Sequence, residues 1–199
     1  NNGVMTLYKA EIAIISATDG TISSSGADRL TVTVSEGVLG KFVFALATPQ
    51  TNAAAFTGAN TLTALDNWGN TVTTFDASAN NVTIAGVSPL TGTVSGLSGG
   101  NKLTSASDFS SGVANMTALG MTYTGVSGTG TFTATATGGT GTSGSVVMNP
   151  GSLASFVFPL ATPQAVGATF TATSTLTAKD VSGNTITTFN ASTDNVTIT

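Results

Sequence analysis

Leu62–Phe75 reads LTALDNWGNTVTTF, and Leu176–Phe189 reads LTAKDVSGNTITTF. The two stretches stand 114 residues apart, and the match runs on around them. Val38–Ala85 aligned on Ser152–Thr199 without gaps gives 29 identities in 48 positions. That density marks an internal duplication. A weaker match sets the Gly3-Val4 start against Gly112-Val113, and Gly37 and Gly151 mark the joins to the strong repeat. The chain thus divides into residues 1–37, the C-terminal part of a repeat; 38–151, a complete repeat; and 152–199, the N-terminal part of a further one. This organisation, with no Met at Asn1, reads as a processed product or a window on a longer tandem array. The rival arrangement is a polymer whose subunits complete one another's half-units end to end.

Inside the repeat, apolar and hydroxyl residues alternate. In Phe170–Ala178, FTATSTLTA, every second residue is Thr; Thr131–Thr137, TFTATAT, and Thr31–Ser35, TVTVS, do the same. A period of two puts one face of a strand toward a core and the other toward water, and β-branched Thr suits a pleated surface. Turn signals interrupt the pattern: TDG at Thr18–Gly20, DNWGN at Asp66–Asn70, SGG at Ser98–Gly100, TGG at Thr137–Gly139 and DVSGN at Asp180–Asn184. Many short strands with such punctuation, in a unit of 114 residues, predict an all-β fold of tandem immunoglobulin-like β-sandwiches. The expected core is Phe42, Phe44, Phe56, Leu62 and Phe75, with Phe156, Phe158, Phe170, Leu176 and Phe189. Phe75 follows Val72 by three residues, which predicts either a bulge between them or a Phe75 that caps a sandwich edge.

Composition narrows function by exclusion. Only 7 % of the 199 residues are charged, the net charge is −4, and the five basic residues are scattered. Nothing can neutralise a run of phosphates, so no nucleic acid partner is expected. No apolar run is long enough to span a bilayer as a helix, so no membrane insertion is expected. With no His and no Cys, the usual ligands for zinc, iron or copper are missing, and a serine nucleophile lacks its usual base. The nine acids fall mostly in turns, so paired carboxylates in a cleft are not indicated. The expectation is a protein that is not an enzyme and needs no cofactor.

The segments TALDNWGNTVTTF and TAKDVSGNTITTF resemble the T-A-x-D-x-x-G-N-x-V-T signature of bacterial immunoglobulin-like repeats, as in invasin- and intimin-like adhesins and long prokaryotic surface proteins. Gly3–Gly20, GVMTLYKAEIAIISATDG, is similar to the later strands of such repeats. The resemblance covers nearly the whole chain. It implies stacked β-sandwiches outside the cell, at the cell surface, and carries over no catalytic residue.

Candidate sites follow from the repeat. Asp66 with Asn70, and Asp180 with Asn184, hold equivalent turn positions. They are either turn-forming residues or oxygen donors to calcium, which asks for six or more oxygens. Trp68 sits at a turn tip where the other copy has Ser182, and suits packing between repeats better than sugar stacking. Asn81, Asn115, Asn190 and Asn195 each begin an N-x-S/T triplet and are candidate glycosylation sites. A Lys–Asn isopeptide crosslink is disfavoured, because Lys41 aligns with Ser155 and Lys179 with Leu65. The expected function is a mechanical spacer: the structural repeat region of an extracellular surface fibre, filament or stalk. Its partners would be neighbouring repeats or subunits of the same protein. The alternative is an adhesin module holding a host glycan or protein through loops, at Trp68 or Gly96–Ser111.

Overall fold

The computed structural model describes residues 3–199. Every regular element among them is a strand except two three-residue 3-10 turns, Gly26–Asp28 and Ala106–Asp108, so the chain is all-β. Among the described residues no helix is long and apolar enough to cross a membrane. The strands fall into three blocks. The first is a pair, β1 (Glu11–Ile15) with β2 (Leu30–Val34), antiparallel with Glu11 opposite Val34. The last is another pair, β14 (Leu153–Val157) with β15 (Thr177–Asp180).

Between them lie β3 (Lys41–Ala45), β4 (Gln50–Thr51), β5 (Thr61–Leu65), β6 (Val82–Val87), β7 (Gly92–Ser95) and β8 (Lys102–Leu103), then β9 (Val113–Asn115), β10 (Thr122–Gly125), β11 (Gly128–Ala136), β12 (Gly139–Thr142) and β13 (Val146–Asn149). Strand β5 runs antiparallel between β3 and β9. Strand β11 is antiparallel to β6, β12 and β13. The two groups meet through short parallel contacts: Thr140 of β12 beside Lys41 of β3, and Met148 of β13 beside Gln50 of β4. Strands β7 and β10 make a separate pair. Among the described residues no strand pairing crosses from one block to another.

The period-two pattern explains the core of the middle block. Phe42 and Phe44 point inward from β3, Leu62 and Ala64 from β5, Phe132 and Ala134 from β11, and Val146 and Met148 from β13; all are buried. Phe132 meets Phe56 edge-on at 5.7 Å and Tyr123 edge-on at 5.6 Å, a favoured aromatic geometry. Close packing also dictates Gly141, where a Cβ would lie 2.1 Å from the Phe42 carbonyl oxygen.

The two copies of the strong repeat take the same local structure. Lys41 faces Leu65 and Phe42 faces Ala64; 114 residues on, Ser155 faces Lys179 and Phe156 faces Ala178. Phe42 meets Phe75 edge-on at 5.6 Å, and Phe156 meets Phe189 edge-on at 5.3 Å. The side chain of Gln50 bonds the backbone of Ala47 and Thr57, as that of Gln164 bonds Ala161 and Thr171.

Three expectations need correction. Val72–Phe75 is a tight turn closed by the Phe75 N–H on the Val72 carbonyl, so no bulge lies between them. It swings Phe75 back onto Phe42 and Phe109. Of FTATSTLTA only Thr177 and Ala178 are in a strand, and the chain before them turns at Ala172, which takes a positive φ of 62° as Gly58 takes 80° in the first copy. Finally, Phe156, Phe158, Phe170 and Leu176 are exposed, whereas their counterparts Phe42, Phe44, Phe56 and Leu62 are buried. The alternation foretells which face is apolar; burial depends on a second layer that only the middle block carries.

Candidate functional site, two Asp–Asn clasps between repeats

The turn after β5 is built by its own residues. Gly69 adopts a φ of +91°, a conformation that costs other residues. The Oδ1 atom of Asp66 accepts the backbone N–H groups of Trp68 at 2.9 Å and Asn70 at 2.8 Å. The turn after β15 is the same: Gly183 has a φ of +80°, and Asp180 Oδ1 accepts the N–H groups of Ser182 and Asn184, both at 2.9 Å. This is the short-range carboxylate chemistry that makes Asp a turn residue.

The second carboxylate oxygen reaches out of the turn. Asp66 Oδ2 accepts the N–H of Gly37 at 2.9 Å, from the join before the repeat, and the Asn70 side-chain amide at 2.8 Å. Asn70 then grips the preceding block in both directions: its Nδ2 donates to the Tyr8 carbonyl at 2.8 Å, and its Oδ1 accepts the Ala10 N–H at 2.9 Å. At the next join the pattern returns. Asp180 Oδ2 accepts from Gly151 N–H and from Asn184 Nδ2, both at 2.9 Å. Asn184 Nδ2 donates to the Gly125 carbonyl and its Oδ1 accepts the Ser127 N–H, again both at 2.9 Å. Each Asn side chain thus accepts from one backbone N–H and donates to the carbonyl two residues before it.

The clasps also correct the weaker sequence match. Asn70 on Tyr8 and Ala10 corresponds to Asn184 on Gly125 and Ser127, a spacing of 117 residues. Gly3-Val4 therefore does not align with Gly112-Val113: Val113 lies in β9, beside β5, whereas Val4 lies in no strand.

The second clasp has an additional arm. Asn52, buried in the loop after β4, donates through Nδ2 to Asp180 Oδ2 at 2.8 Å and Ser182 Oγ at 3.0 Å. Its Oδ1 accepts the Gly125 N–H at 2.8 Å. No repeat signal marks this residue, because its counterpart in the next copy is Val166. At the first clasp the tip residue is Trp68, whose ring lies 5.8 Å from that of Tyr8 across the join. At the second, Ser182 and Gly125 occupy those places, so the large pair is exchanged for a small one plus Asn52.

Burial raises the carboxyl pKa of Asp66, but the Asn70 amide and the Gly37, Asn70 and Trp68 N–H groups outweigh it and hold it down to about 2. Burial acts likewise on Asp180, and Asn184, Gly151 and Asn52 bring it to about 2. Both groups are buried anions saturated by N–H donors. Such a donor set does not suit calcium, which would have to displace those N–H groups to reach one carboxylate. Among the described residues no three acids gather into a metal-holding group.

The other candidates lie apart from the clasps. Asn81 and Asn195 are exposed. Asn115 caps the Ala118 N–H, and the Thr117 hydroxyl of its triplet is bonded to the Gly58 carbonyl. Asn190 holds the N–H and hydroxyl of Ser192 through its Oδ1. The Gly96–Ser111 stretch is pinned by buried Asp108, whose Oδ2 accepts from Ser98 Oγ and from the Thr104 and Ser105 N–H groups.

No family model matches the chain, and no curated protein matches it. Among solved structures it is similar to one described as surface layer protein SbsC, domains 1–6, at 18 % identity and a TM-score of 0.35, over 89 % of this chain and 20 % of that one. It is also similar to the S-layer protein rSbsC(31-844), at 20 % identity and a TM-score of 0.33, over 89 % of this chain and 21 % of that one. The chain spans about a fifth of each. Likeness at this level carries no argument about fold or role.

Proposed function

We propose that this chain is a structural, non-catalytic repeat region of an extracellular prokaryotic surface fibre, filament or stalk. In this reading it consists of tandem immunoglobulin-like β-sandwiches with joins near Gly37 and Gly151. The observation that carries the proposal is the recurrence of one clasp, Asp–Asn on the backbone of the preceding block, at two joins. A flexible linker would leave successive repeats free to swing. A buried carboxylate that accepts from the join itself fixes each repeat to the one before, as a spacer must if it is to transmit force or hold reach. The hydroxyl-rich, weakly charged composition and the resemblance to bacterial surface repeats support the extracellular setting.

An antibody raised against the chain tests the setting: it is expected to label intact cells of the source organism in fibres or a continuous coat. Labelling only after permeabilisation would overturn the proposal. Trp68, 60 % exposed at its turn tip, supports a second reading as an adhesin module for a host glycan or protein. Glycan-array binding lost on Trp68→Ala would favour it.

A further inference from the structure

The two joins differ at one acid. At the first, the Glu36 carboxylate accepts the Thr73 hydroxyl at 2.6 Å and the Thr73 N–H at 3.1 Å. The Thr73 hydroxyl above all, with the Glu36, Thr73 and Thr74 N–H groups, outweighs burial and holds the Glu36 carboxyl below its ordinary value. The Thr73–Thr74 turn is thus a seat for a carboxylate. Thr187 and Thr188 make the same turn in the next copy and are exposed. The residue that stands there in the place of Glu36 is Pro150, which has no acceptor in its side chain.

The second turn faces a groove of about 290 Å³ between the middle and last blocks. Thr51, Asn149 and Pro150 line one wall, and Ile186, Thr187 and Thr188 line the other. The first join has a groove in the same place, where Ser35, Glu36 and Thr73 are the counterparts of Asn149, Pro150 and Thr187. Thr73 belongs to the complete repeat, yet its N–H and its hydroxyl both donate across the join, to Glu36. In a whole repeat these donors therefore face the join. The local charge differs as well. Lys179 stands where the first copy has Leu65, and its Nζ donates to the Thr185 hydroxyl at 2.8 Å. Thr185 is at most about 7 Å along the chain from Thr187, inside the Debye length of about 10 Å at 0.1 M salt. The exchange of Glu36 for Pro150 and that of Leu65 for Lys179 each make the second groove more positive than the first.

We propose that the groove at the second join binds a carboxylate from outside the chain, carried on a hydroxylated molecule the size of one sugar acid. Thr187 and Thr188 receive the carboxylate as Thr73 and Thr74 receive that of Glu36, and Lys179 supplies the countercharge. Thr51 and Asn149 meet the hydroxyls, and Pro150 and Ile186 meet the apolar face of the ring. Asp180 lies behind Gly151 with its oxygens already saturated by N–H donors. Its charge opposes an anion and the donors are exposed, so the affinity is expected to be millimolar. The proposal goes beyond the spacer reading by giving one join a ligand, and it rests on the comparison of the two joins, not on a surface setting.

The first join serves as an internal control. The full chain, labelled with nitrogen-15, is titrated with glucuronate, with glucose and with acetate. Glucuronate is expected to shift the Thr187 and Thr188 amides saturably and to leave those of Thr73 and Thr74 in place. Pro150→Glu supplies the acid within the chain and is expected to weaken glucuronate binding at least about tenfold. Thr187→Val removes a hydroxyl that donates to a charged group and is expected to weaken it about tenfold. Glu36→Ala is expected to make Thr73 and Thr74 respond in turn. Amide shifts elsewhere in the spectrum show that each variant is folded. No saturable response at Thr187 and Thr188, or one unchanged in Pro150→Glu, overturns the proposal. Glucose or acetate binding as tightly as glucuronate overturns it too. So does a shift of the same amides when the chain alone is diluted, which would assign the seat to an acidic side chain of a second copy.

Discussion

The Asn52 side-chain amide donates to the Asp180 carboxylate at 2.8 Å, although 128 residues separate them. The contact joins a loop of one repeat to the turn of the next, and both groups are buried.

Asn52→Ala removes a donor from a buried carboxylate and an acceptor from the Gly125 N–H. Leaving such groups unpaired costs about 1–3 kcal/mol. The loss is expected at the second join alone. Hydrogen exchange should accelerate at Gly151 and Ser127 and stay unchanged at Gly37 and Ala10.

The same aromatic in two settings gives a paired prediction. Phe132→Ala opens a cavity in a closed core and is expected to cost about 3–5 kcal/mol of stability. Phe170→Ala acts on a side chain left largely in water and is expected to shift the thermal midpoint little. Denaturant titration of the two variants, followed by Trp68 fluorescence, compares them.

Acid is expected to loosen the joins. The ordinary Asp value is 3.8 and both clasp carboxyls are lowered to about 2. A group with a depressed folded pKa gives stability that is present above the unfolded value and lost as pH falls through the folded one. The clasps should therefore hold above about pH 4 and release between there and about pH 2. Proteolysis by an acid-active protease should move to the segments flanking Gly37 and Gly151 across that window, before the middle block is cut.

Calcium is expected to be inert at these sites. Thermal melting in millimolar calcium and in chelator should coincide, because the carboxylate oxygens already face N–H donors. A chelator-dependent fall in melting temperature, abolished by Asp180→Asn, would restore the metal reading.

The sequence shows the turns, the repeat and part of the strands because each leaves a local mark: Asp with Gly-Asn at turns, and alternation of Thr with apolar residues, although most of the alternating FTATSTLTA is not in a strand. It identified Asp66, Asn70, Asp180 and Asn184 as turn residues for the same reason. It could not show that the second oxygen of each carboxylate leaves its own turn, since the partners at Gly37 and Gly151 are backbone groups with no side-chain signature. Tyr8, Ala10, Gly125 and Ser127 are likewise held through main-chain atoms, so their identities are free to differ between joins. Asn52 was hidden because only one copy has it. Alternation marks the apolar face that holds the exposed Phe156, Phe158 and Phe170 without saying what lies over it.

The central claim is that one clasp recurs at both joins, and the Gly37 and Gly151 amide protons report on it directly. Each donates at 2.9 Å to a carboxylate oxygen, of Asp66 and of Asp180. In a pH titration followed by nuclear magnetic resonance, both amides are expected to lie downfield and to move together with a midpoint of about 2. If either amide stays flat, or titrates at the ordinary 3.8 of a free carboxyl, the recurring clasp does not exist.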